Sequence, residues 1–461
     1  MVKIAPFRGV VYNAKEMETD GGLLIAPPYD VVNEAQRQQY LSSHPHNFLH
    51  LDLGEVKPGD SGPMAWHDRS AEILALWLSS GVLIRRDKPS IILMDTEWIH
   101  PSTGRRMNRH GLICLMLLEE VGKNSKVRLH EKTFSYHKVE RLDLMEKTRA
   151  HLSPIFGFFP DPEEDFLRTM YDLHRTGSDF QVNESNGLSH QVFFVQANHS
   201  IGKLAEMLAD TTVYIADGHH RYETALKYRQ MVLDELARNS QQPAPNSAVN
   251  YVMTYLSPMS DPGLCVLPTH RVLSCLQYSD EEIIKSLERF CEIKSFTFNG
   301  DSEQAKTDLA QKLTDDSKKG LTVFGLFIRG FKRYFFLKVK EKIKDEIVKA
   351  QPEEAVLNSL DVSVLTNLII KKALGLTESE MDNPDCISYV YSIEQAIEAV
   401  NERNHRAAFI INATSLDEIL KVTETGRVMP RKATYFYPKV SNGLVFNLID
   451  PMESIVELGR G

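Results

Sequence analysis

Five polar or conformationally special residues follow one another at a single point of the chain, Asp217-Gly218-His219-His220-Arg221. The apolar, β-like residues 212–216 come directly before them, and apolar residues at helical spacing follow over residues 221–237. A glycine turn between a strand and a helix leaves the first N–H groups of the helix without partners, in the positive potential of the helix dipole. Two imidazoles and a guanidinium add further donors there. The pattern therefore predicts an anion site, specifically a phosphate site, at the start of this helix.

Two other interpretations of the same loop stay open. Asp217 is of a type that caps helices, in which case the histidines are solvated loop residues. Alternatively, His219 or His220 together with Glu223 has the helix-face spacing of a transition-metal site, although Arg221 would repel the ion. If the loop does bind phosphate, Asp217 is the candidate ligand for Mg²⁺ or the group that orients one histidine.

Five further blocks of residues, each different in sequence, are distributed along nearly the whole chain, at residues 26–31, 130–133 with 141–142, 152–156, 267–271 and 429–439. Residues 215–226 resemble the phosphate-binding motif of the ParB/sulfiredoxin-like superfamily. With the other blocks, the chain resembles a large bacterial and archaeal family catalogued as a domain of unknown function, number one thousand and fifteen. That family is related through the loop motif to the ADP-dependent free serine kinase. One departure is Ala433, where the family usually has serine, so we assign no chemistry to position 433.

The resemblance implies a nucleotide-binding phosphotransferase. The expected reaction moves a phosphoryl group between ADP or AMP and free serine or O-phosphoserine, in serine metabolism, with Mg²⁺ as the expected ion. The direction of transfer is not readable from the residues. Two alternatives belong to other classes of protein: a non-catalytic nucleotide-binding switch of the ParB-like group, and a metal-dependent phosphohydrolase that uses the histidines.

The resemblance also suggests roles for individual residues of the candidate site. The catalytic candidates are Glu131, Asp217, His219 and His220, with Asp217 also the metal candidate. Glu131 is the candidate general base, because the His130-Glu131 pair is similar to a pair in the serine kinase. The candidates for nucleotide and phosphate binding are Gly218, His219, His220, Arg221, Arg271, Lys432 and Lys439. The candidates for substrate binding are Asp30, Lys138, Arg141 and His270.

Each assignment outside the loop has a structural alternative. Glu131 is equally read as a surface carboxylate at a strand end, and Asp30 as the residue that closes a turn after two prolines. Lys138 and Arg141 are typical of a solvated helix start. His270 and Arg271 are typical of a strand exit. Lys432 and Lys439 flank an aromatic segment that suits either an adenine ring or a core strand.

The elements that position these residues are mixed. Two β-like segments, residues 90–95 and 112–117, flank a turn signal and predict a hairpin, as do residues 321–328 and 334–339. Hairpins beside helices predict an α+β (mixed α/β) fold, with a ParB/sulfiredoxin-like nucleotide-binding core and further mixed-sheet segments. The predicted divisions are residues 1–120, an N-terminal α/β segment, 121–300, the core with the loop, and 301–461, a C-terminal α/β segment.

Composition limits the possible partners. The net charge of −9 gives no surplus of basic residues, so nucleic acid is not the expected partner. We expect a small-molecule substrate and a nucleotide, and no membrane, since no apolar run is long enough to span a bilayer. A cytoplasmic protein is expected because residues 1–8 lack the apolar stretch of a signal peptide. The five cysteines form no CxxC pair and are expected to be reduced core thiols. The oligomeric state is left open.

Overall fold

The structure is a computed structural model that describes residues 1–60, 62, 64–122, 125–131, 135–173, 178–196, 199–298, 300–402 and 405–456, with the backbone alone for residues 135–138. The chain divides into two compact units. Unit 1 comprises Met1–Leu129, Thr133–Cys265 and Pro438–Gly461, and unit 2 comprises His130–Lys132 and Val266–Tyr437. The three-segment division stays a prediction, and the two units are described separately below.

Unit 1 is built on a mixed sheet. Strands are numbered in chain order, and those of this sheet are β1 (Ile4–Ala5), β4 (Ser90–Ile99), β5 (Arg106–Leu117), β6 (Val127–Leu129), β8 (Ile155–Phe159), β9 (Phe180–Asn183), β10 (Ser189–Gln196), β11 (Val213–Asp217) and β12 (Tyr251–Pro258). Their order is β6-β11-β8-β12-β5-β4-β10-β9, with β1 beside β5. The pairs β6–β11 and β8–β12 are parallel and the others antiparallel. Two small pairs join β2 (Val10–Tyr12) to β3 (Leu83–Arg85) and β7 (Ala150–His151) to β21 (Asn447–Leu448).

Unit 1 has eight α-helices among the described residues. Those of unit 1 are α1 (Ala14–Leu24), α2 (Glu34–Ser43), α3 (Leu49–Asp52), α4 (Trp66–Ser79), α5 (Ser135–Thr148), α6 (Asp165–Leu173), α7 (His199–Ala209) and α8 (His219–Arg238). Apolar residues of the sheet strands pack with those of α6, α7 and the start of α8 in one core. Helix α5 packs on α8 through Leu142 and Met145 against Tyr228. This packing fixes α8, and therefore the loop that precedes it, on the sheet.

Unit 2 has an antiparallel sheet of its own. Its strands are β14 (His270–Leu273), β15 (Cys291–Thr297), β16 (Val323–Ile328), β17 (Arg333–Val339), β18 (Ile387–Val390) and β19 (Ala407–Ile410), and β13 (Cys265–Leu267) pairs separately with β20 (Tyr435–Tyr437). The sheet order is β15-β17-β16-β19-β14-β18. The helices are α9 (Asp280–Glu288), α10 (Ser302–Ser317), α11 (Glu341–Ala350), α12 (Ala355–Ser359), α13 (Asp361–Val364), a π-helix (Leu365–Ala373), α14 (Glu378–Met381), α15 (Ile393–Glu402) and α16 (Leu416–Glu424). Residues of α10 and α15 pack on the sheet in a second core.

The predicted mixed α/β class is confirmed. Both predicted hairpins are present, since β4 pairs antiparallel with β5 and β16 with β17. Most residues of these four strands are buried on both faces, so each strand contains a nearly continuous apolar run. The ParB/sulfiredoxin-like character of the core stays an expectation.

The cysteines differ from the sequence-based expectation. Cys275 and Cys386 form a disulfide in unit 2, so the prediction of reduced thiols is wrong for this pair, which meets only when β14 and β18 pair. Cys114, Cys265 and Cys291 are free. Among the described residues, no helix is long and apolar enough to cross a membrane.

Candidate functional site

The candidate loop of unit 1 begins where β11 leaves the sheet. Residues of β11 face β8 in antiparallel register, and the register shifts between Ile215 and Asp217, which pairs with Phe156. Such a bulge turns the end of a strand and redirects its side chains. Gly218 follows with φ of +87°, a left-handed conformation that glycine adopts without strain. The chain then enters α8 at His219, two residues before the helical spacing that the sequence predicted over residues 221–237.

The N-terminus of α8 has no side-chain cap among the described residues. Gly218 is the N-cap residue, and the first backbone hydrogen bond of the helix runs from the Tyr222 N–H to the Gly218 carbonyl. The interpretation of Asp217 as a capping residue is therefore wrong. His219 and His220, both half-buried, are the first two residues of the helix. Their backbone N–H groups lie in the first turn, where a helix offers its positive potential to anions.

Asp217 is held between two cations. Its Oδ1 accepts from Lys439 Nζ at 2.6 Å, and its Oδ2 accepts from Arg221 Nη2 at 2.7 Å. Burial by itself would raise the pKa of Asp217, but the charges of Lys439 and Arg221 outweigh it and hold the pKa below its usual range. Two permanent positive charges and one negative charge leave this cluster, defined by Asp217, Arg221 and Lys439, with a net positive charge.

Arg221 is also tied to the segment between β7 and β8. Its Nη1 donates to Ser153 Oγ at 3.0 Å and to the Pro154 carbonyl at 2.6 Å. The guanidinium thus connects three pieces of unit 1: the end of β11, the first turn of α8 and residues 153–154. A phosphate group would meet an arginine that protein groups already hold in place, so its phosphate-binding role stays a prediction.

The environment of Asp217 does not fit its predicted role as a metal ligand. Both carboxylate oxygens are engaged by cationic side chains, and a divalent ion there would face their positive charges. Among the described residues, the group whose ligand atoms approach metal spacing is elsewhere, at Glu16, His44 and His46. We therefore derive no step through a metal ion at Asp217.

The predicted substrate-binding residues of unit 1 differ in exposure. Asp30 is exposed in a short 3₁₀ turn, Tyr29–Val31. Arg141 is buried in α5, where its Nη1 donates to Asp52 Oδ1 at 2.9 Å and its guanidinium carbon lies 4.0 Å above the centre of the Tyr29 ring. The side chain of Lys138 lies outside the described residues. Arg141 is therefore a fixed, buried cation and not the solvated residue of the alternative interpretation.

Glu131 and Lys432 lie together in unit 2. Glu131 forms a bridge with Met429, and its Oε1 accepts from the Lys432 backbone N–H at 2.9 Å. Lys432 is exposed and has a positive φ of 55°. The carboxylate therefore holds the backbone of residue 432 in an unusual conformation. The role of Glu131 as a general base stays a prediction.

His270 and Arg271 are interior residues of unit 2. His270 is 1% exposed, and its Nδ1 accepts from the Ile411 N–H at 3.2 Å. Burial lowers its pKa to about 3, so the imidazole is neutral. Arg271 is 2% exposed and donates to Thr269 Oγ1 at 2.6 Å and to the Lys432 carbonyl at 3.2 Å. These contacts position the chain, and they do not support direct contact of either residue with substrate or nucleotide.

Several residues near the loop were missed by sequence reasoning. Arg109, fully buried, donates to Tyr255 Oη at 3.2 Å and to the carbonyl of Pro438, the residue before Lys439. Ser153 belongs to a block that carried the resemblance, but a lone serine there gave no functional signal. Asp52 lies between two leucines, and only the fold brings it to Arg141. Arg109 adjoins the apolar run of β5, and a charged residue there was the sequence signal that could have identified it.

Solved structures similar to this chain were found at low identity. They include a free serine kinase variant in complex with ADP, 13% identical, covering 68% of this chain and 84% of that chain with a TM-score of 0.32. A conserved hypothetical protein from Pyrococcus furiosus is 13% identical, covers 74% and 98%, and has a TM-score of 0.30. SbnI with a C-terminal truncation, from Staphylococcus aureus, is 10% identical, covers 72% and 85%, and has a TM-score of 0.31. At these TM-scores the similarity carries no argument about function.

The family of the chain is identified by sequence comparison and not by the structural similarities. No curated protein matches the chain. A family profile described as "Protein of unknown function (DUF1015)" matches residues 4–363, well over half of the chain. The family inferred from the loop and the five further blocks is thereby confirmed. The chain belongs to the DUF1015 family of proteins of unknown function.

Proposed function

We propose that this protein binds the phosphates of ADP or AMP at the loop 217–221 and transfers a phosphoryl group between the nucleotide and free serine or O-phosphoserine. The loop's resemblance to the phosphate-binding motif of the ParB/sulfiredoxin-like superfamily, with its relation to the free serine kinase, motivates the choice of reaction. The protein would then be an enzyme of serine metabolism, with a nucleotide and a small amino acid as its partners.

The observation that carries the proposal is the cation-rich helix start. Gly218 opens α8 in a left-handed conformation without a side-chain cap among the described residues, and Lys439 and Arg221 lie beside it. Backbone N–H groups, a lysine and a helix dipole together are the usual means of binding phosphate. Asp217 keeps the two cations in position without cancelling their total charge.

The chemistry is a balanced transfer. In the direction of serine phosphorylation, the serine hydroxyl oxygen forms a bond to the terminal phosphorus of ADP, the bond from that phosphorus to its bridging oxygen breaks, and AMP leaves. The hydroxyl proton passes to a base, for which Glu131 is the sequence-based candidate. Positive groups around the transferred phosphoryl stabilise its charge in the transition state, which is the main task in phosphoryl transfer. The reverse direction uses the same groups.

The test is direct incubation of the purified chain with two substrate pairs. Serine with ADP, and O-phosphoserine with AMP, are followed by chromatography of the nucleotides across several divalent metal ions. We expect conversion of ADP to AMP with the first pair or of AMP to ADP with the second. Absence of exchange with both pairs, in a folded protein, would remove the proposal.

A second candidate uses the same loop without catalysis. A nucleotide-binding switch would bind ADP or AMP through the cluster of Asp217, Arg221 and Lys439 but transfer nothing to an amino acid. Calorimetry with each nucleotide separates the two functions, because the switch predicts binding that depends on Lys439 and no turnover with either substrate pair. The metal-dependent phosphohydrolase, which would use His219 or His220 with Glu223, stays an alternative, although the group at metal-ligand spacing among the described residues is Glu16, His44 and His46.

A further inference from the structure

A cavity lies in unit 1, with Arg221 in its wall. Residues of α5, α8 and β12, the end of α3 and the segment 148–155 line it. One part of its wall is apolar, with Leu144, Ile155 and Val252. The polar part is formed by Asp52, Arg141, Ser153, Arg221 and Thr224.

Three polar atoms in this wall have no hydrogen-bond partner among the described residues. They are Asp52 Oδ2, Arg141 Nε and Thr224 Oγ1. The residues that carry these atoms are 3%, 5% and 2% exposed, so bulk water does not form hydrogen bonds with the atoms. Buried polar groups in folded proteins are nearly always paired, and unpaired ones point to water, an ion or a ligand. Three such atoms on one cavity therefore indicate a polar occupant.

The unpaired atoms define what that occupant must offer. The other nitrogens of Arg141 donate to Asp52 at 2.9 Å and to Glu140 at 2.8 Å, so the remaining Nε requires an acceptor. Asp52 Oδ2 requires a donor. Burial raises the pKa of Asp52 against the charges of Arg141 and Arg221, because the carboxylate is incompletely compensated. Asp52 and Arg141 contact each other, so they match a ligand that carries an ammonium group and a carboxylate on the same carbon atom.

The cavity also communicates with the candidate phosphate loop. Arg221 forms part of its wall and donates to Asp217 at 2.7 Å, and Ser153 in the same wall accepts from Arg221 at 3.0 Å. The guanidinium of Arg221 therefore contacts both the cavity and the loop. A short side chain that extends past Arg221 would carry its hydroxyl toward the phosphate site.

We infer that this cavity binds the α-ammonium and α-carboxylate groups of a free amino acid, with Asp52 as the partner of the ammonium and Arg141 Nε as the partner of the carboxylate. Thr224 completes the hydrogen bonds of the bound zwitterion. The choice of an amino acid as ligand depends on the proposed function. Ordered water alone in the cavity is the competing explanation.

The experiment compares three probes by calorimetry on the full chain. L-serine carries both groups, 3-hydroxypropionate lacks the amine, and ethanolamine lacks the carboxylate. We expect serine to bind at least about tenfold more tightly than either analogue, since each analogue leaves one charged partner unpaired. Equal affinity for all three probes, or no binding of serine, would overturn the inference in favour of water.

Variants locate the site. Asp52→Asn should weaken serine binding about tenfold or more and leave 3-hydroxypropionate unchanged, because that probe has no ammonium group. The control Asp68→Asn alters an exposed aspartate of α4 and should change neither. If Asp52→Asn does not fold, Thr224→Val provides the second variant, with the same weakening expected. Serine affinity unchanged in a folded Asp52→Asn or Thr224→Val variant would reject the site.

The outcomes distinguish this inference from the proposed function. Phosphoryl transfer to serine with an unchanged KM for serine in Asp52→Asn would leave the proposed function standing and remove the amino acid site. Serine binding that depends on Asp52, without exchange of either nucleotide pair, would retain the site and remove the transferase.

Discussion

Asp217 organises the loop through its two ion pairs. In the absence of the carboxylate, Lys439 and Arg221 would repel each other, and the loop would lose the group that aligns them. The mostly buried carboxylate stays ionised because the two cations hold its pKa below the usual range. At the residue scale, the cluster of Asp217, Arg221 and Lys439 is therefore a positioned group of charges with a net positive charge.

Gly218→Ala should disturb the loop in two ways, by backbone strain and by a close contact between the added Cβ and Arg221. A side chain at φ of +87° costs about 1–2 kcal/mol, and its Cβ would lie 3.0 Å from Arg221 Nε. We expect lower stability in denaturant unfolding and weaker nucleotide binding in calorimetry. Gly187→Ala is the matched control, since Gly187 has φ of +89° and no atom within 4 Å of an added Cβ. Similar nucleotide affinity in both variants would mean that the loop geometry does not matter for binding.

Lys439→Gln tests the phosphate site by removing the positive charge that pairs with Asp217. Arg221 holds Ser153 and Pro154 as well as Asp217, so Arg221→Ala should lower stability as well as affinity. We expect Lys439→Gln to weaken AMP binding by about 1.5–3 kcal/mol, the range for a hydrogen bond to a charged group. Calorimetry measures the affinity. Wild-type affinity in a folded variant would place the phosphate elsewhere.

Glu131→Gln tests the sequence-based assignment of the base. Glutamine keeps an acceptor for the Lys432 N–H, so unit 2 should fold as before. If Glu131 accepts the serine proton, turnover falls about 100-fold or more while nucleotide binding is retained. Steady-state rates and calorimetry are the two measurements. A variant with near-normal turnover would show that another group is the base.

At the scale of elements, the loop depends on what α8 packs against. Tyr222 and Ala225 bury the first turns of α8 in the sheet core, and α5 covers the next turns. Arg109, on β5, holds the carbonyl of Pro438 and so sets the position from which Lys439 reaches Asp217. Residues far apart in sequence thus meet at one end of β11.

The disulfide is an element-scale prediction in unit 2. Cys275 and Cys386 connect the ends of β14 and β18 across 111 residues of sequence. Alkylation of the denatured chain without reductant, followed by mass spectrometry, should label Cys114, Cys265 and Cys291 alone. Reduction should lower the stability of unit 2 by about 2–5 kcal/mol, because the unfolded chain loses a constraint. Labelling of all five cysteines would restore the sequence-based expectation of reduced thiols.

At the scale of the whole molecule, each unit contains a buried neutral histidine. His151, in β7 of unit 1, and His270, in β14 of unit 2, both have their pKa lowered to about 3 by burial. An unfolded imidazole titrates near 6.5. The unfolded chain therefore binds more protons than the folded chain between about pH 6.5 and 3, and stability falls as the pH drops through this window.

Each histidine should contribute on the order of 2 kcal/mol to the loss of stability between pH 7 and pH 5. Urea unfolding at both pH values measures the loss. His151→Gln and His270→Gln should each reduce the pH dependence, whatever their stability at pH 7. His199→Gln, at the exposed start of α7, is the control and should leave it unchanged. The same pH dependence in all the proteins would assign it to other groups.

The sequence alone determined the loop, the helix behind it, the hairpins and the family. Each depends on local information: hydrophobic periodicity, a glycine between strand and helix, and blocks of residues that stand together in the chain. Only the tertiary structure decided that Asp217 pairs with Lys439 across 222 residues, that Asp52 meets Arg141, and that His270 is buried. Long-range pairs and burial depend on how strands are ordered and helices packed, and no local pattern encodes that order.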